Sequence, residues 1–247
     1  MKTDSFDTIF NGKDCVMAIM PHPDDLELYC GGTIARLLAK GVDIVVVKLT
    51  NGGKGTRQST ISESELSKKR GAEDKKAAKV LGIADDKNIQ LNLSDGALEN
   101  DLATIEKLAA LIRQYRPDLI ITCNPEDVVI RFAPDAKWIN HRDHRATAKS
   151  AVDAAYPYSR DTAFFPSQLA GLSKPFKPTS EFLFSDYYDL PDLVYVDITD
   201  FTKAKVESWA CHESAYTHDK VEASLDFLNK DEESGRYYEP FRYVIAD

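Results

Sequence analysis

Two short apolar runs, CVMAIM at 15–20 and DIVVVKLT at 43–50, flank a stretch with Ile34, Leu37 and Leu38 at helical spacing and a glycine stop at Gly41. Runs this short, β-branched or apolar and bounded by turn residues, read as buried strands. Strand, helix and strand in about thirty residues make a βαβ unit, whose crossover is right-handed. Such a unit needs a parallel sheet with both faces covered. The pattern then repeats. Residues 62–81 form a charged amphipathic helix, with Ser62 and Glu65 spaced as a capping box and Gly82 as its stop. NIQLNL (88–93) is a third strand, DLATIEKLAALIRQY (101–115) another helix, and DLIITC (118–123) a fourth strand. The expected fold class is α/β: a Rossmann-like, mainly parallel sheet covered by helices over residues 1–155.

Beyond Ala155 the texture changes. Residues 156–180, with Pro157, Pro166, Pro175 and Pro178, read as irregular. EFLFSDYY and LVYVDIT read as two more strands that extend the sheet, and 200–229 as one long helix with Asp200 as its N-cap. There is no internal repeat and no low-complexity linker. The whole chain, 1–247, is therefore expected to form one domain: the core over 1–155 and a smaller strand and helix extension over 156–247.

The formal net charge is −9 and no long basic run occurs, which argues against nucleic acid or an anionic membrane as partner. The short group Lys68-Lys69-Arg70 is flanked by acids and reads as a solvated helix face. No apolar run is long enough for a membrane span, and the first 14 residues lack the apolar segment of a secretory signal. The four cysteines, Cys15, Cys30, Cys123 and Cys211, are scattered without a C-x-x-C pair, which fits reduced thiols and a cytoplasmic location.

The chemistry gathers at strand ends. His22, Asp24 and Asp25 directly follow the first strand, and parallel sheets bind ligands beyond the carboxyl ends of their strands. Pro21 and Pro23 stiffen that loop. An imidazole beside carboxylates suits a divalent metal, zinc above all. From these residues alone, capping of the following helix is an equal alternative. A second cluster tips the balance. His141 and His144 stand three apart at a helix start, on one face, after the fourth strand. Three of the five histidines thus meet one rim of the sheet. The glycine-rich TNGGKGTRQST (50–60) lacks the spacing of a phosphate loop and reads as a flexible wall of the cleft. Gly31-Gly32 likewise makes no dinucleotide fingerprint.

PHPDDLELYCGGTIARL resembles the first motif of the LmbE/PIG-L family of zinc-dependent N-deacetylases, and HRDH is similar to its second, usually H-P-D-H. RGAEDKKAAKVLG (70–82), SDG (94–96) and ACHES (210–214) carry weaker likeness. The resemblance implies that His22, Asp25 and His144 hold Zn2+, with Fe2+ as the other candidate ion, and leave a coordination site for water. It implies Asp24 as general base, His141 as the group facing the oxyanion or the leaving amine, and Asp143 as hydrogen-bond partner of His141. Arg70, Asp95 and His212 match substrate-contact positions. The implied activity is removal of acetate from a small-molecule N-acetylglucosamine-type substrate, and the implied assembly a homo-oligomer, trimer or hexamer. Arg142 replaces the usual proline and Glu213 an ordinarily small or polar residue. The alternatives are an amidase on a larger acyl or thiol conjugate, and a non-catalytic sugar-binding relic. Asp24 speaks against the relic, since binding alone needs no base beside the metal.

Overall fold

In the computed structural model, which describes residues 2–56, 60–170, 172, 177–188 and 190–246, the first strand lies inside a seven-stranded sheet. β1 (Cys15–Met20) is flanked by β2 (Asp43–Thr50) and β4 (Leu119–Thr122), parallel to both. β3 (Asn88–Leu93) pairs parallel outside β2, and β7 (Glu181–Phe184) parallel outside β4. β9 (Tyr238–Ile245) then pairs antiparallel with β7, and β8 (Leu193–Asp197) antiparallel with β9. The order β3-β2-β1-β4-β7-β9-β8 keeps a Rossmann-like parallel half and adds a mixed edge, so the expected sheet extension is present.

Strand period explains why β1 is apolar throughout. Val16, Ala18 and Met20 face one core, shared with α2 (Asp25–Ala39), α6 (Thr202–Trp209) and α7 (His218–Asn229). Met17 and Ile19 face the other, under α4 (Leu102–Tyr115) and the small residues of α5 (Arg142–Asp153). A strand buried on both faces has no side for polar residues. The helix signals hold too. Ser62 and Glu65 form the capping box of α3 (Glu63–Leu81), and Asp101 caps α4 through Thr104 N at 2.8 Å. Gly41 and Gly82 close their helices at φ +80° and +87°, where a side chain would be strained.

Three differences from the sequence expectation have physical causes. First, α2 starts at Asp25, seven residues before Gly32, and breaks at Cys30 (φ −142°). The break frees the N–H groups of Gly32 and Thr33, which donate to the Glu239 carboxylate at 2.9 and 2.7 Å. Glu239, from β9, is thus an internal cap for the second half of α2. Lys205 of α6, also buried, lies 2.7 Å from Glu239 and donates to Leu28 O at 2.8 Å. Gly32 is glycine because a Cβ there would fall 2.7 Å from Ile198 Cβ.

Second, 200–229 is not one helix. Thr199–Phe201 is a 3-10 turn containing Asp200, Phe201 takes the N-cap position of α6, and eight residues separate the end of α6 from the start of α7. Two acids draw the chain out of helical geometry between them. His212 Nε2 lies 3.0 Å from Glu27 Oε2 of α2, and Ser214 donates its N and Oγ to Glu73 of α3 at 2.9 and 2.6 Å. Third, the sequence reading lacks α1 (Phe6–Phe10), the hairpin of β5 (Val129–Ala133) and β6 (Ala136–Ile139), and β9. Positions 57–59 of the glycine-rich stretch and Pro175 lie outside the described residues. All four cysteines are free, with Cys30 and Cys123 buried.

Gly32→Ala is expected to cost about 1–3 kcal/mol through overpacking against Ile198. Gly71→Ala in α3, where a Cβ meets nothing within 4 Å, is expected to add about 0.5–1 kcal/mol. Denaturant unfolding of the two variants checks the pair. Burial opposes the charge on His212, and Glu27 overcomes it, so its pKa stands above the ordinary imidazole value. A raised pKa contributes stability fully below about pH 6.5 and loses it as pH climbs through the folded value. The gap in melting temperature between the wild-type chain and His212→Gln should accordingly narrow as pH rises from 6 to 9.

Candidate active site and metal centre

The loop after β1 is fixed from below. Thr50 of β2 donates both its N–H and its hydroxyl to Pro21 O, each at 2.9 Å. Beyond this anchor the chain folds back on itself: His22 N donates to Asp25 Oδ2 at 2.9 Å, and His22 Nδ1 lies 3.0 Å from the same oxygen. Asp24 occupies the N-cap position of α2, yet its side chain makes no cap hydrogen bond. The capping alternative therefore fails for Asp24. Its carboxylate accepts instead from Arg70 Nη2 of α3, and the Tyr216 phenol lies close enough to feel its charge. Arg70 Nη1 donates to Gly52 O at 2.9 Å. Gly52 (φ +61°) has to be glycine, since a Cβ would come within 2.9 Å of both the Arg70 guanidinium and Pro23 Cδ.

The second cluster closes over the first. His144, in the first turn of α5, puts Nε2 3.5 Å from Asp25 Oδ2. Its Nδ1 lies 3.5 Å from the Tyr29 hydroxyl and 3.8 Å from Asp186 Oδ2. His22 is arranged alike. Nδ1 faces Asp25, and Nε2 lies 3.3 Å from Asp95 Oδ1 and 3.5 Å from Asp143 Oδ2. Each imidazole thus turns one nitrogen to Asp25 and the other to outlying carboxylates. His141 is the N-cap of α5, not a member of its face, and is exposed. Its ring centroid lies 5.1 Å from that of His22 and 5.7 Å from that of His144.

Charge follows from this packing. Burial opposes protonation of His22, but Asp143, Asp25 and Asp95 raise its pKa well above the ordinary value. His144 is raised against burial by Asp25 and Asp186. Asp25 is held far below the usual carboxylate range despite its burial, by His144 and His22. His141 moves the other way, lowered by burial and by the two charged imidazoles beside it.

The structure brings His22, Asp24, Asp25, Arg70, Asp95, Asp143 and His144 together as buried residues, with His141 at the edge. Four of the sequence-based expectations change. Arg70 is buried against Asp24 rather than solvated. Asp143 does not offer its carboxylate to His141. That carboxylate accepts from Gly96 N at 2.7 Å and Leu98 N at 3.3 Å, and it is the Asp143 backbone N–H that donates to His141 Nδ1, at 3.3 Å. This leaves Nε2 of His141 as the protonated nitrogen when the ring is neutral. Asp95, expected at a substrate-contact position, accepts from Lys54 N at 2.8 Å and puts Oδ1 3.3 Å from His22 Nε2. His212 is fully buried on Glu27, away from the cleft surface. Of the two departures from the motifs, Arg142 pairs with Glu99 across the loop and Glu213 lies exposed in the turn.

Sequence reasoning missed Tyr29, Tyr216 and Asp186. Asp186 follows β7 as His22 follows β1, so the strand-end rule would have found it. Tyr29 stands one turn after Asp25 on α2. For Tyr216 no local signal exists. Asp186 is buried at φ +70°, and neither carboxylate oxygen has a hydrogen-bond partner.

These donors fit a divalent ion. Nitrogen and oxygen donors converge on Asp25, each histidine is backed by a carboxylate, and that is the usual second layer of a metal site. Among the described residues, His22, His141 and His144 also bring one donor atom each within 4.8 Å of one another. The five buried acids Asp24, Asp25, Asp95, Asp143 and Asp186 outnumber Arg70 and the two imidazoles by two. A divalent cation would take the place of the two imidazolium protons, since only the neutral rings can ligate it.

Comparison with known proteins agrees with this chemistry. The model of the PIG-L family, described as GlcNAc-PI de-N-acetylase, matches residues 17–155. A diacetylchitobiose deacetylase of Thermococcus kodakarensis is 29% identical over 244 residues, covering 95% of this chain and 85% of that protein. The structure of N,N'-diacetylchitobiose deacetylase from Pyrococcus horikoshii superposes with a TM-score of 0.79 at 27% identity, over 97% of this chain and 87% of that one. GalB of Pseudomonas putida, a 4-carboxy-2-hydroxymuconate hydratase, superposes with a TM-score of 0.66 at 18% identity, over 95% and 97%. That last likeness is one of fold alone, so the reaction has to be argued from the site. The match over residues 17–155 takes in both histidine clusters and more than half of the chain: the protein belongs to the PIG-L family.

Proposed function

We propose that the chain hydrolyses the amide of an N-acetylglucosamine-type substrate, with zinc held by His22 Nδ1, Asp25 and His144 Nε2. The observation that carries this reading is the division of labour between neighbours. Asp25 faces both imidazoles, whereas Asp24 turns away to Arg70 and Tyr216. That difference in surroundings suits one carboxylate to metal binding and the adjacent one to proton transfer. The names of the relatives support the substrate class, and the hydrolytic chemistry, which involves no redox change, supports zinc over Fe2+. The same domain, 1–247, carries the whole activity on this reading.

A zinc ion bound there would supply a Lewis acid and a water of lowered pKa. The residues do the rest. Asp24 accepts the proton of the attacking water, oriented by its hydrogen bond from Arg70. His141, with Nδ1 tied to the Asp143 N–H, directs Nε2–H as a hydrogen-bond donor to the oxygen of the reacting amide, and Asp24 passes the proton it took from water to the departing amine. Asp95 and Asp143 hold the His22 ring, and Tyr29 and Asp186 hold that of His144.

Acetate release from free N-acetylglucosamine and from diacetylchitobiose should be measured on zinc-loaded protein. It should stop with a chelator and return with zinc; release that is indifferent to the chelator overturns the reading. Asp24→Asn keeps an acceptor for Arg70, so it should retain stoichiometric zinc while turnover falls about 10²–10⁴-fold. His144→Ala should lose zinc, and His141→Ala should keep it; metal analysis of the purified variants separates ligand from hydrogen-bond donor. Asp186→Asn should weaken zinc about 10–100-fold in a chelator competition, because the His144 ring loses its support.

A further inference from the structure

A groove of about 370 Å³ opens beside the histidines. His141 and His144 form one end, and Phe132 and Trp138 of the hairpin, Trp209 of α6 and Phe227 of α7 form its walls. Apart from those two histidines its lining carries no acid and no base. Of its two tyrosine hydroxyls, that of Tyr29 lies 3.5 Å from His144 Nδ1 and that of Tyr216 is turned towards the Asp24 charge. Trp138, Ile139 and Phe227 are 59%, 74% and 53% exposed, so the outer wall is apolar and uncovered.

The methyl of an acetamide does not need such a space, which falls in the size range of pockets that enclose drug-sized ligands. A pyranose ring presents hydroxyls on every side, and each buried hydroxyl without a partner costs free energy. The groove offers them few partners. The charged groups of the site, Arg70, Asp95 and Lys54, lie outside its lining, on α3 and in the loops after β2 and β3. Apolar surface leading directly from the reacting atoms suits an alkyl chain.

We propose that this groove binds the acyl side of the amide, and that the chain hydrolyses amino sugars carrying a linear N-acyl group longer than acetyl. The proposal rests on the hydrolase reading above and sets its substrate class. The water oxygen joins the acyl carbon as the C–N bond breaks. The two water protons end on the amine nitrogen, giving a fatty carboxylate and an ammonium sugar. The charged loops receive the sugar and the groove receives the chain.

The test is the series of N-acetyl-, N-butyryl-, N-hexanoyl- and N-octanoylglucosamine with zinc-loaded protein. kcat/KM should rise along it, by up to about fourfold for each methylene buried. In Phe227→Ala and Phe132→Ala the octanoyl-to-acetyl ratio of kcat/KM should fall. Binding can be read without turnover, since both tryptophans of the chain line the groove. With chelated, metal-free protein, N-octanoylglucosamine should give a saturable change in tryptophan fluorescence at concentrations where N-acetylglucosamine gives none. A series that is flat or falls from acetyl, with no such fluorescence change, overturns the groove assignment and leaves the deacetylase reading standing. Fluorescence that responds to protein dilution but not to the octanoyl compound overturns it as well, because a second copy then covers the groove. Failure to turn over any member, acetyl included, with zinc bound overturns the hydrolase reading and this proposal with it.

Discussion

One oxygen of Asp25 accepts the backbone N–H of His22 and faces both His22 Nδ1 and His144 Nε2. A buried carboxylate is tolerated only when its charge is met by donors or counter-charge. Asp25 obtains both from the two clusters that the sheet brings to its rim. That requirement orders the neighbourhood. The outward nitrogens of the imidazoles must themselves be satisfied, and Asp95, Asp143, Tyr29 and Asp186 are placed to do so. Asp143 is fixed in turn by the N–H groups of Gly96 and Leu98. The arrangement is a set of nested polar contacts around one atom, each layer determining the orientation of the one inside it.

Asp24 shows how neighbours in sequence come to differ in chemistry. The two acids share a loop and a helix start, yet Asp24 meets a guanidinium and a phenol where Asp25 meets imidazoles. The guanidinium is itself pinned by Gly52 O, in a space only a glycine leaves open. Two adjacent carboxylates of unlike surroundings therefore depend on the β2–α3 loop as much as on the motif that contains them.

The parallel half of the sheet was legible because strands buried on both faces leave continuous apolar runs, and helix ends leave caps and glycines. The histidine and aspartate clusters were legible because strand ends collect function. What escaped depends on contacts distant in sequence. The helical spacing through 200–229 gives no sign that Glu27 and Glu73 pull 210–217 out of the helix. Lys68-Lys69-Arg70 reads as one solvated group, but Arg70 alone of the three is itself buried, against Asp24. Pro240 and the charges around it disguised β9. The proline is tolerated because it pairs with β8 alone, beyond the residues of β9 that pair with β7. The hairpin β5–β6 is too short and too exposed to show a period.

The internal cap on α2 gives the chain an order of assembly. The helix that begins with Asp25 is synthesised well before Glu239, which receives the N–H groups of its broken turn from 207 residues further along the chain. Until β9 joins the sheet, those donors and the buried ammonium of Lys205 have no partner in Glu239. The geometry at the start of α2 thus depends on β9, and a stretch of chain carrying both histidine motifs but not yet β9 has the site's side chains without the contact that fixes the helix beneath them.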